Sequence, residues 1–218
     1  RLRADGRRDE SGMDASTWGA ALELESPSTL GRWVYGVDVS RDEVDSFSRR
    51  YKADGSLNKT EAQGPVADDA TYDLVGVFVQ DTAALFGGAL EATPGIRYTY
   101  AALDADRVLD PVSGTVGARE DDWDSVVGSL RLLAPLGAER RHAVYGGLSQ
   151  GFRAPNLSDL TRLDAARSDE IETPVDDLDP ERFTSAELGA RYDDGRRSAE
   201  IAGYYTWIED LIVRAPTG

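Results

Sequence analysis

The 218-residue chain contains no cysteine, which excludes a disulfide framework, thiol catalysis and any Cys-ligated metal. Histidine is nearly absent as well: His142 is the only one. It sits in RRHAVY at the start of an apolar-alternating run, with no Ser-containing elbow before it, so it reads as a strand-end residue rather than a base or a metal ligand. Lysine occurs only as Lys52 and Lys59, and 24 basic residues stand against 40 acidic ones for a net charge of −16. That balance argues against a nucleic-acid or anionic-lipid partner. No apolar run approaches the ~18 residues a transmembrane helix needs. No initiator Met or signal peptide is present, and the chain is expected to be one stretch, 1–218, of a longer protein.

What is present is alternation. Side chains on a strand point to opposite faces in turn, so apolar residues at every second position mark a half-buried strand. Trp18, Ala20, Leu22 and Leu24 form one such set, and Trp33, Tyr35, Val37 and Val39 the next. TYDLVGVFVQD is apolar on both parities, so its facing is open. Leu90, Ala92, Pro94, Ile96, Tyr98 and Tyr100 follow, then WDSVVGSLRLL and HAVYGGLSQGF. The clearest pair is Ala186, Leu188, Ala190 and Tyr192, turned at Asp193-Asp194-Gly195 into Ala199, Ile201, Gly203, Tyr205 and Trp207. Asp-Gly is a strong hairpin-turn signal. The count is eight strands, joined alternately by short turns and long polar loops. The spacing also predicts one short helix in the third loop: Asn156 caps, Asp159 follows three residues on, and Leu157, Leu160 and Leu163 recur at helical spacing.

Strands of about ten residues, a dyad pattern, and short turns on one side against long loops on the other are the marks of an outer-membrane barrel. Unpaired backbone is costly in hydrocarbon, so a sheet in lipid has to close on itself. The expected fold is all-β: an antiparallel up-and-down meander of about eight strands, forming an open arc of a larger transmembrane β-barrel. The apolar parity is expected to meet lipid, with Trp33, Tyr98, Tyr100, Tyr192, Tyr205 and Trp207 as candidates for interfacial belts. The polar parity (Glu23, Asp38, Glu91, Arg97, Arg131, Glu187, Arg191 and Glu200) is expected to face the lumen, where opposite charges on neighbouring strands pair. A soluble antiparallel sandwich also alternates, though without so regular a short–long rhythm.

The phrase Gly151-Phe152-Arg153-Ala154-Pro155, followed by Pro180-Glu181 and then Glu187-Leu188-Gly189, resembles the barrel of TonB-dependent outer-membrane receptors. In that family a phrase of the FRAP type closes one strand, and a PE…ELG phrase opens the next. The resemblance implies location in the outer membrane of a Gram-negative-type cell, lipid around the barrel, and uptake of a small-molecule ligand, with a ferric siderophore the commonest case. It also implies energy from the TonB protein acting through a plug domain. The resemblance implies a barrel of about 22 strands with a lumen plug, and plug, coupling box and closing strand are expected to lie outside this stretch. No catalytic residue and no cofactor are expected. Haem-taking receptors carry a histidine between the FRAP phrase and the phrase that follows, and none lies between Phe152 and Pro180. Asp176, Asp177, Asp179 and Glu181 are the densest acid cluster, but the spacing does not match a calcium loop and Pro180 interrupts it, so a solvated loop is the reading. Two other functions fit parts of the pattern: a passive channel or barrel enzyme, and a soluble β-sandwich adhesin or lectin.

Overall fold

The computed structural model describes residues 2–163 and 177–213. Asp176 and the remainder of the acid-rich loop, 164–176, lie outside the described residues. Nine strands form one antiparallel sheet: β1 Arg8–Pro27, β2 Gly31–Tyr51, β3 Leu57–Thr60, β4 Asp68–Leu85, β5 Leu90–Leu109, β6 Val116–Leu136, β7 His142–Arg153, β8 Glu181–Asp193 and β9 Ser198–Glu209. Each long strand pairs with its successor, in the order β1-β2-β4-β5-β6-β7-β8-β9, with β3 pairing back on β2. β1 and β9 do not pair with each other, so the sheet is an open meander.

The eight expected strands are all present and pair in sequence order, and among the described residues the short β3 is added beside β2. Their extent needs correction: β1, β2, β4, β5 and β6 run for 20, 21, 18, 20 and 21 residues rather than about ten. The polar stretches at 42–69 and 104–122 were expected as loops. The ladder instead continues through most of them, for example Asp42↔Tyr72, Glu43↔Thr71 and Asp104↔Glu120. Backbone pairing needs only N–H and C=O groups in register, so strands outrun the apolar pattern that revealed them.

The turns follow their sequences. Gly195 takes φ +80 in the β8–β9 turn, where the Asp194 carboxylate accepts from the backbone N–H groups of Arg196 and Arg197. Phe86–Gly88 makes a single 3-10 turn between β4 and β5.

Residues directly opposite in an antiparallel ladder share a face. One face carries Leu22, Val37, Val77, Tyr98 and Val126 in a single row, and Leu130, Leu148, Ala186 and Tyr205 in another. This apolar face resolves the ambiguous strand: Val75, Val77 and Val79 belong to it, whereas Leu74, Gly76 and Phe78 face the other way. All six aromatics of the expected belts lie on it by register. Leu188 and Ile201 are 67% and 75% exposed there, in a contiguous apolar surface far larger than a water-soluble domain tolerates.

A ladder row also climbs from one rim to the other. Glu25, Val34, Gln80, Gly95, Ser129, Ser149, Ser185 and Thr206 lie in one row. It starts beside the short turn after Pro27 and ends near Glu209, at the opposite rim. The strands therefore lean relative to the rims, as barrel strands do. A hydrophobic cluster of buried residues forms at the rim of the long loops, on the polar face: Ala67, Ala70 and Ala105, with Val44, Val108 and Leu157 packed against them.

Candidate functional site on the polar face

The register puts Glu23, Asp38, Glu91, Arg97, Arg131, Glu187, Arg191 and Glu200 on one face, opposite the apolar one. It joins two of them directly. The Arg97 guanidinium donates Nη1 to Asp38 Oδ1 and Nη2 to Asp38 Oδ2, both at 2.8 Å. β2 and β5 are separated by β4, and the pair spans it because Gly76 lies beneath: a Cβ there would fall 1.9 Å from Arg97 Nη2. Arg191 and Glu200 are direct register partners. Glu23, Glu91, Arg131 and Glu187 stand apart from these pairs along the face.

The same device recurs at Gly189. The Tyr145 ring of β7 lies over it, 2.4 Å from where a Cβ would be, and its hydroxyl donates to Glu200 of β9 across β8. The glycine of the Glu187-Leu188-Gly189 phrase is thus the floor of an aromatic bridge. Leu188 is its register neighbour on the opposite, apolar face.

At the long-loop rim the two sequence phrases meet. Arg153 and Glu181 are register partners, and Arg153 Nε donates to Glu181 Oε2. Arg153 Nη1 also donates to Asp159 Oδ2 at 2.8 Å. The other Glu181 oxygen accepts from the Ile212 backbone N–H at 2.8 Å. Glu181 is 4% exposed, and the Arg153 guanidinium holds its carboxyl below the usual range against the opposing effect of burial. Of the remaining motif residues, Gly151 packs on Phe183, Phe152 pairs with Arg182 on the apolar-face parity, and Ala154 and Pro155 are buried. Pro180 directly precedes β8.

Ala154-Pro155 leads into α1, Leu157–Thr161, with a reciprocal box in which Asn156 accepts from the Asp159 backbone and Asp159 from the Asn156 backbone. The expected short helix is thus present, capped at Asn156 as its spacing predicts. It crosses the polar face over the row Val44, Ala70, Ala105 and Arg119, where Leu157 packs on the two alanines.

Several contributors were invisible to sequence reasoning. Gln63 donates Nε2 to the Thr161 carbonyl at 2.9 Å and accepts from the Leu109 N–H at 2.6 Å. The Ala67 N–H donates to Thr161 Oγ1 at 2.9 Å. Gln63 and Thr161 are 98 positions apart, and no local pattern links them. Gly76 and Gly189 were detectable only as glycines inside strands, a known signal of close approach. His142 stacks on Tyr192, with ring centroids 4.9 Å apart, beside the short turn before β7. Among the described residues no group of three or more His, Cys, Asp or Glu is arranged to hold a metal ion.

The sequence matches the TonB dependent receptor-like β-barrel family over residues 2–218. The chain belongs to that family. No curated protein sequence matches it. Among solved structures, it is similar to the copper transporter OprC, with a TM-score of 0.72, 21% identity, and coverage of 92% of this chain and 31% of OprC. A double mutant of the Serratia marcescens hemophore receptor HasR, in complex with its hemophore HasA and heme, gives 0.70, 18%, 91% and 34% in the same order. The ferric citrate transporter FecA in its unliganded form gives 0.63, 18%, 99% and 31%. The chain thus spans about a third of the length of these structures, and the likeness establishes the receptor-barrel fold. The family is an outer-membrane one, and its relatives here are transporters or receptors.

Proposed function

We propose that this chain forms part of the barrel wall of an outer-membrane receptor that imports a scarce nutrient, a ferric siderophore, with energy delivered by TonB through a plug domain. In this reading the apolar face meets lipid and the polar face, with Glu23, Asp38, Glu91, Arg97, Arg131, Glu187, Arg191 and Glu200, lines the lumen. No reaction is catalysed. The observation that carries the reading is the partition of a continuous sheet into one apolar and one charged face: Leu22, Val37, Val77, Tyr98 and Val126 share a row on the first, Arg97 and Asp38 pair on the second, and the Arg41–Asp73 pair on the apolar parity lies beyond the apolar row, toward the long-loop rim. Such a wall is stable between hydrocarbon and a polar interior and nowhere else. The siderophore rests on weaker support: the ferric citrate transporter among the similar folds, and the absence of histidine between Phe152 and Pro180, where haem-taking receptors carry one.

The test is deletion of the encoding gene under iron limitation, followed by uptake of radiolabelled iron from a panel of ferric siderophores, with haem and copper as parallel substrates. Loss of uptake of one siderophore, restored by the intact gene and not in a strain lacking TonB, is the expected result. Loss of haem or copper uptake instead would reassign the cargo. Uptake that persists without TonB would favour a passive channel.

A further inference from the structure

The segment 61–67 and helix α1 come from opposite halves of the chain and are held together over the polar face at the long-loop rim. Apolar packing holds them in part: Leu160, Val66 and Ala67 are buried, and Leu157 packs against the cluster of Ala67, Ala70 and Ala105. Hydrogen bonds supply the rest: Gln63 to the Thr161 carbonyl, Ala67 N–H to Thr161 Oγ1, and Leu163 N–H to the Pro65 carbonyl at 3.0 Å. The segment is fastened to the sheet in turn by the Leu109 N–H on Gln63 and by the Gly64 N–H on Ser46 Oγ at 2.9 Å. Gln63 ties the segment to both α1 and the sheet: its donor takes α1 and its acceptor takes β5. It is 2% exposed, so an unmade bond there has no water to replace it.

We propose that residues 61–67 and α1 form a single strap across the receptor entrance, and that Gln63 is its latch, so that the two parts dock and undock as one unit. The strap is fastened by buried, uncharged hydrogen bonds together with the Arg153–Asp159 ion pair on α1 and the pairs of Glu61 with Arg50 and Lys59, and its opening free energy includes each of them. Local opening of this kind exposes backbone amides together when the unit is cooperative. The receptor reading above is needed only to identify this rim as the entrance. Amide exchange is read without ligand, so failure of the latch and failure of the uptake reading are separate results.

The experiment is hydrogen exchange on the full receptor in detergent, comparing wild type with Gln63→Ala and with Thr161→Val, which keeps the shape and removes the hydroxyl. Heat-modifiable gel migration confirms that each variant is folded. The expected result is exchange about tenfold faster in 61–67 and in 157–163 alike, with the β8–β9 hairpin unchanged in both variants. Acceleration in only one of the two segments would overturn the single-unit proposal. Unchanged exchange in both would overturn the role of Gln63. Should Gln63→Ala fail to fold, Thr161→Val alone decides, because its hydroxyl bonds Ala67 of the partner segment.

Discussion

Arg97 of β5 and Asp38 of β2 meet in a two-pronged ion pair, both bonds at 2.8 Å, across the bare backbone of Gly76 in β4. Charges two strands apart ordinarily sit about 10 Å from one another. The glycine lets them close that gap flat against the sheet, so it acts as part of the pair.

Gly76→Ala is therefore expected to break the bridge. The clash is with the far end of a flexible side chain, which swings away, and both partners are partly exposed, so the cost is about 1 kcal/mol. Gly36→Ala is expected to cost more, about 1–3 kcal/mol, because its Cβ would lie 2.5 Å from the Leu22 carbonyl oxygen, which is backbone and cannot swing. Urea unfolding of the full barrel from lipid measures both. Equal costs would mean the sheet relaxes around either site.

Arg153 and Glu181 predict a pH dependence at the long-loop rim. The folded-state carboxyl of Glu181 titrates below its ordinary value of 4.5. A depressed folded pKa adds stability that is fully present above the ordinary glutamate range and is lost as pH falls through the folded value. Anchoring of α1 through Arg153 is thus expected to weaken on acidification below about pH 4.5. Exchange at 156–161 as a function of pH reads it, and Glu181→Gln is expected to flatten that profile while loosening the rim at neutral pH.

Ala105→Leu tests the alanine cluster. Ala105 is fully buried, in a cluster against which Leu157 of the strap packs, so a leucine there would crowd that cluster. Overpacking of this kind costs about 1–3 kcal/mol, and here the helix yields rather than the sheet. Faster proteolysis within the segment around α1, with the barrel resistant, is the expected outcome. Unchanged proteolysis would mean the cluster has spare room.

Leu188→Arg tests the apolar face. Near the bilayer midplane an arginine on the lipid side of a barrel costs about 2–4 kcal/mol. A folding titration from lipid is expected to register that loss for Leu188 and much less for Glu187→Arg, its neighbour on the charged face. Similar costs for the two would contradict the facing.

A polypeptide of these 218 residues by themselves is expected not to form a stable monomer. β1 and β9 each present an unpaired edge in the open sheet, and free edges of long strands seek partners. Refolding in detergent followed by gel migration and exchange checks this. A compact heat-modifiable species with protected amides on both terminal strands would show that the two edges close on each other.

The two-faced sheet was legible in the chain because strand alternation is a local property, carried by every second residue from Trp18 to Trp207. So were the Asn156–Asp159 cap, three residues apart, and the turn at Gly195. The lengths of the strands were not. Beyond the apolar belt, as at Asp42 to Arg50 or Asp104 to Leu109, apolar residues no longer recur at every second position, and pairing there depends on a neighbouring backbone rather than on the side chains themselves.

The contacts that shape the charged face belong wholly to the tertiary structure. Arg97 and Asp38 are 59 positions apart, and Gln63 and Thr161 are 98 apart. Their residue types are common and their spacings carry no period, so only the ladder register and the crossing of α1 over the alanine row bring them within bonding distance. The sequence by itself determined which side of each strand is apolar, because hydrophobic period and pleat coincide. Which polar groups meet across the sheet was decided by the fold, because hydrogen bonds are short-ranged and their partners here lie far apart along the chain.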